Sequence, residues 1–338
     1  MALLLLALAA LIQVRGQPLA GGSVSGAAEG PLERATGGDT PVLTFRTARG
    51  RLRLLLDTGA TSTMVTPELV RRLGLPSSPL PPASFALAGG GDDCAGLRPR
   101  RSRLPELDLV ANTGSGNLRL RGVEALVLPA AALPPAVDGV LGAPTLRRQP
   151  LWIDPLAERV AFGAAALQRA AGVPAAQGQV QTPKGSPHTL RAAASTLEPR
   201  PVQLLPLRWH QGVPLLALRT PLGVVPALAD TGAEGLFVSR ELATRLPMPA
   251  RGRTLRLVGF CGEQAVEQNQ VAGLALAGES RAGQDKDHRG VGSPLAVIIT
   301  SNPIFRVLGV EAIVGQELLR QRRQLWRLDL DPPRLELH

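Results

Sequence analysis

The chain has 338 residues and 35.4 kDa, a length that suits two lobes of roughly 150 residues each. Apolar residues make up 44%, enough for a packed core, which excludes wholesale disorder. Aromatics are only 3% and tyrosine is absent, so the core must be built of Leu, Val and Ala, and no mechanism can use a Tyr. The formal charge is +10, and Lys184 and Lys286 are the only lysines among 37 basic residues. Nothing interleaves these arginines with stacking aromatics, so nucleic acid is not an expected partner. Two cysteines exclude a disulfide-dense scaffold and a Cys-based zinc site.

Residues 3–12 are continuously apolar. As a helix they would span about 15 Å, half of what a bilayer requires. Such a run at the extreme N-terminus reads as a secretory signal or short anchor over 1–20, with an exported, periplasmic or extracellular protein as the expectation. The Gly-rich stretch 21–38 reads as a flexible leader. Val42 to Arg46 and Arg51 to Leu56 then flank a turn, a hairpin pattern that runs straight into Asp57. Thr66 is suited to cap a short helix that opens on Pro67 and closes at Gly74. The first lobe is expected to occupy 39–163. Residues 164–200, rich in Ala, Gln, Pro, Gly and Ser, read as a disordered linker, and 201–338 as the second lobe. There Val213 to Arg219 and Val224 to Ala229 repeat the hairpin before Asp230, and Ser239 caps the matching helix. A polar insertion, 277–294, reads as a surface loop.

The two halves are copies. Asp57-Thr58-Gly59-Ala60 recurs as Asp230-Thr231-Gly232-Ala233 at an offset of 173, and the same offset relates Thr66 to Ser239 and Glu68 to Glu241. It returns downstream, where Leu141-Gly142 maps on Val314-Gly315 and Leu146-Arg147 on Leu319-Arg320. One triplet is weak, but two in register with a second matched motif mark a duplication. A pseudo-two-fold axis can bring identical loops face to face. Two carboxylates at that axis cannot both ionise easily, so the pair would share a proton. Such a pair can activate water with the carboxylate and protonate a carbonyl with the acid. The four histidines have no metal-ligand spacing, and neither metal nor cofactor is expected.

These motifs resemble the retropepsin-like aspartic peptidases, most closely the bacterial aspartyl protease type, here duplicated within one chain as in the bilobed pepsins. The resemblance covers about 40–163 and 202–338. It implies an all-β fold with short helices, in which two retropepsin-like β-barrel lobes are related by a pseudo-two-fold axis. It also implies a monomer that acts as an endopeptidase on polypeptide substrates. Asp57 and Asp230 would be the catalytic pair. Thr58 and Thr231 would interlock beneath it, and Gly59, Ala60, Gly232 and Ala233 would shape the loops. Gly142 and Gly315, each closing an apolar run, would pack behind. Thr61 and Glu234 fall where family members contact substrate backbone. Flaps that close over substrate would be Ala86 to Gly96, with Gly90, and Leu257 to Glu263, with Gly259. Cys94 and Cys261 sit one in each flap, a possible disulfide in an oxidising compartment. A catalytically silent peptide-binding module with the same fold is the alternative reading, and a basic protein that binds an envelope polymer is a third.

Overall fold

The computed structural model describes residues 4–6, 12–15, 18–81, 86–89, 96–129, 133–172, 203–249, 252–280 and 293–338. It is mostly β, with short helices, in two lobes. Each lobe is built around one repeated unit. In the first, strand Gly139–Gly142 runs parallel to Gly50–Asp57, with Leu141 opposite Leu56, and antiparallel to Thr63–Val65. In the second, Ala312–Val314 runs parallel to Gly223–Ala229, with Val314 opposite Ala229, and antiparallel to Leu236–Ser239. The two registers match residue for residue at the offset of the repeat. Each unit buries a continuous aliphatic strand that ends on the aspartate; Leu54, Leu55 and Leu56 are fully enclosed, as are Ala227, Leu228 and Ala229.

The capped helices form as the sequence dictates. Thr66 Oγ1 accepts from the Leu69 amide at 3.2 Å at the head of helix Pro67–Arg72. Ser239 Oγ accepts from Leu242 at 3.0 Å at the head of helix Arg240–Ala243. Each satisfies one orphan amide of a helix start.

The first lobe's strands close into a barrel that continues into a sheet shared by both halves. In that sheet strand Leu151–Asp154 pairs with Gln324–Arg327, which pairs with Arg334–Leu337, which pairs with Gln203–Pro206. The second lobe contributes most of a ten-stranded sheet. Trp326, Phe45 and Phe237 are the largest fully buried side chains, and Leu, Val and Ala make up nearly all the rest of the core.

Two segments differ from their sequence reading. Residues 21–38 contain a nine-residue strand, Ser23–Pro31, paired with Asn117–Arg121 and Arg159–Phe162. Its small residues serve close packing. A Cβ on Gly30 would stand 3.0 Å from the Val110 carbonyl oxygen, and one on Gly26 would overlap that of Asn117. The start of the expected linker, Ala164–Ala170, is a helix laid on this strand, with Ala166 and Ala170 buried. Buried Glu29 on the strand pairs with Arg169 of the helix and with Arg159. Residues 173–202 lie outside the described part. In the N-terminal run, Leu4–Leu6 is an extended strand parallel to Arg253–Gly259, and Ile12–Arg15 pairs antiparallel with Ala86–Ala88. No helix among the described residues is long and apolar enough to cross a membrane.

Candidate active site

Asp57 and Asp230 each close an aliphatic strand, and the pseudo-two-fold axis brings the two loops into contact. Four hydrogen bonds lock them. Thr58 Oγ1 accepts from the Thr231 amide, and Thr231 Oγ1 accepts from the Thr58 amide, both at 3.0 Å. The same hydroxyls donate across the lobes, Thr58 to the Ala229 carbonyl and Thr231 to the Leu56 carbonyl, both at 2.7 Å. Every group in this lattice is fully buried, so each hydroxyl satisfies one amide and one carbonyl that water cannot reach.

The lattice sets each aspartate against the opposite glycine. A Cβ on Gly59 would stand 2.6 Å from Asp230 Oδ2, and one on Gly232 would stand 2.6 Å from Asp57 Oδ2. Only glycine permits both approaches. Asp230 accepts from the Gly232 amide at 2.8 Å. Asp57 is fully enclosed, and neither of its oxygens makes a well-formed hydrogen bond. Its pKa is raised well above the usual carboxylate value. Burial is the main cause, followed by the charge of Asp230 and a hydrogen-bonding contact with that carboxyl; the amides of Gly59 and Ala60 pull the other way. The pair therefore favours a state that keeps a proton.

The surrounding residues support the two loops from behind and from the sides. Gly142 and Gly315 sit behind the loops, where a Cβ would stand 2.9 Å from the Ala60 oxygen and 2.8 Å from the Ala233 carbonyl carbon. Ala60 and Ala233 are buried. Thr61 is buried beside Gly212. Glu234 turns to the opposite lobe, where its carboxylate accepts from the amides of Asp39 at 2.7 Å and Thr40 at 2.9 Å, and from the Thr40 hydroxyl. Its oxygens are thus engaged within the protein.

The second expected flap is a hairpin, Arg253–Gly259 with Gly262–Val271, and Gly259 pairs with Gly262 at its tip. Phe260 and Cys261 at that tip are buried in a cluster with Ala60, Met64, Leu126 and Val140 of the first lobe. The flap therefore reaches across the lobe boundary and is closed. Cys261 is in a disulfide. In the first flap only Ala86–Gly89 and Gly96 are described; Gly90 and Cys94 lie outside the described residues. The Gly89 carbonyl accepts from Asn302 of the second lobe at 2.6 Å.

Two contributors were not singled out from the sequence. Gln316 is buried, and its amide donates to the Thr231 carbonyl at 2.7 Å. It directly follows Gly315 in the repeated motif, where the first half has Ala143; that mismatch was the available signal. Phe260 stood unremarked in a Gly-rich hairpin. Among the described residues no cluster of three His, Cys, Asp or Glu side chains could hold a metal.

Residues 46–145 match the family model described as aspartyl protease. The chain resembles the retropepsin-like aspartyl proteases. The match covers the first aspartate loop and its Gly142 motif, and the second lobe repeats that unit by internal duplication. No curated protein matches the chain. Among solved structures, conglutin gamma, a basic 7S globulin from lupine seeds, is 12% identical with a TM-score of 0.47; the likeness covers 94% of this chain and 95% of that one. The basic 7S globulin from soybean is 13% identical with a TM-score of 0.45, covering 95% and 96%.

Proposed function

We propose that the protein is an aspartic endopeptidase whose single active site is shared by its two lobes. The observation that carries this reading is the pair of aspartates locked face to face, with Asp57 biased towards its protonated form. With one proton on the pair, one carboxylate accepts a proton from an attacking water while the other carboxylic acid donates to the scissile carbonyl oxygen. A tetrahedral intermediate forms without a covalent bond to the enzyme. Its collapse returns a proton to the leaving amine and leaves the pair ready for the next cycle. Because both carboxylates are fully buried, the flap tip at Phe260 must lift before a polypeptide can enter.

The active unit is a monomer, since the duplication supplies both halves, and it needs no metal or nucleic acid. Export to the periplasm or beyond is part of this reading, with the apolar N-terminal run retained as a short anchor rather than cleaved, since Leu19 is buried and Ala20 and Gly21 are hydrogen-bonded into the first lobe. The test is hydrolysis of an unfolded protein substrate across pH. The expected profile is bell-shaped and centred on the acidic side, with inhibition by a peptide carrying a tetrahedral hydroxyl group. A rate that climbs steadily through alkaline pH would refute the two-carboxylate mechanism. Peptide binding without cleavage at any pH would move the reading to a silent peptide-binding module.

A further inference from the structure

The pseudo-two-fold axis creates two equivalent junctions, and among the described residues carboxylates fill one of them. At the filled junction, strands Glu33–Arg34 and Pro41–Thr47 are joined by a six-residue connection, 35–40. This connection is long enough to meet Glu234, which caps the amides of Asp39 and Thr40. The Asp39 carboxylate in turn pairs with Arg320.

At the other junction the offset of the repeat places Thr61 where Glu234 stood, Gly212 where Asp39 stood, and Arg147 where Arg320 stood. Both acids are gone and the arginine is kept. The connection is also shorter, since only Gln211 and Gly212 lie between strands Arg208–His210 and Val213–Thr220. A cavity of about 280 Å³ remains, lined by Thr61, Pro144, Arg147, Arg148, Gln211 and Gly212, with Pro18–Gly21 as its far wall. Among the described residues neither Arg147 nor Arg148 is paired with a carboxylate. The Arg147 guanidinium carbon lies 6.0 Å from the centroid of the Trp209 ring.

We propose that this cavity is a carboxylate-binding subsite for the polypeptide ligand, recognised by Arg147 and Arg148. A guanidinium matches a carboxylate through paired donors, and a neutral amide cannot replace that match. The bound group is an acidic side chain of the peptide or its free C-terminal carboxylate. Thr61, four residues beyond Asp57 in the chain, links the cavity lining to the catalytic loop. The identity of the ligand as a peptide rests on the endopeptidase reading; the unmatched positive charge does not.

The full chain carrying Asp57→Asn is titrated with short Leu/Ala peptides, and the heat of binding is read by titration calorimetry. One series carries a Glu scanned through each position with an amidated C-terminus. A second replaces that Glu by Gln, and a third has Gln and a free C-terminus. At least one carboxylate series should bind about three- to tenfold tighter than the neutral one. The preference should vanish when R147Q and R148Q are added, while affinity for the neutral peptide is kept. Preference for the Glu series identifies a side-chain subsite, and preference for the free C-terminus identifies a terminal one. Equal affinity for all three series, no binding by any, or a preference that survives R147Q/R148Q overturns the subsite. Because hydrolysis is not read, an inactive wild-type chain would overturn the endopeptidase reading and leave this result standing.

Discussion

Replacing Thr231 by Val removes one hydroxyl and nothing of comparable volume. That hydroxyl accepts from the Thr58 amide and donates to the Leu56 carbonyl, and both partners are fully buried. Valine leaves the two backbone groups without a partner and without water. Each orphaned buried group costs about 1–3 kcal/mol, so T231V should lose roughly 2–6 kcal/mol. That is a large share of the roughly 5–15 kcal/mol by which folded proteins exceed their unfolded state. Thr231→Ser keeps the hydroxyl, and its loss should be well under half as large. The assay is chemical denaturation of the wild type and both variants at one pH, read as the shift in midpoint. If T231V and T231S unfold at the same denaturant concentration, the hydroxyl lattice does not hold the lobes together and the account of the site's geometry fails.

Asp57→Asn should be more stable than the wild type at neutral pH. The folded pKa of Asp57 is raised, so the unfolded chain loses its proton first and wild-type stability falls as pH rises above about 4, until the folded carboxyl also ionises. A D57N advantage that fails to grow between pH 4 and 7 would contradict the raised value. Gly232→Ala should abolish activity and destabilise the fold, because its Cβ would overlap the Asp57 carboxyl; a G232A chain with wild-type turnover would mean that the loops are not in contact. Cys261 is in a disulfide and Cys94 is the only other cysteine, so thiol titration of the denatured, unreduced protein should find no free thiol per chain, and two reactive thiols would break the proposed Cys94–Cys261 tie between flaps.

The repeated unit was readable in the sequence because its chemistry is local. An aliphatic strand must end on Asp, Gly must follow, and Thr66 or Ser239 must cap the next helix; each step is fixed within a few residues. The strand Ser23–Pro31 was not readable, because its glycines and alanines look like a flexible leader until the helix Ala164–Ala170 is laid over them from far along the chain. The engagement of Glu234 was hidden for a similar reason. Its partners are backbone amides of Asp39 and Thr40, reached only because the 35–40 connection is longer than its counterpart at Gln211–Gly212. Phe260 escaped notice because a flap tip is buried only when the opposite lobe is present.

The central claim is that Asp57 and Asp230 form one catalytic unit, and single substitutions at each test it most directly. Hydrolysis of an unfolded protein at acidic pH is measured for the wild type, Asp57→Asn and Asp230→Asn. Circular dichroism is used to show that all three are folded. One carboxyl cannot serve as both acid and base, so each single variant should lose activity by at least about a hundredfold. The double variant should be no worse than either single one. A folded D57N or D230N chain that keeps near-wild-type turnover would contradict the shared site.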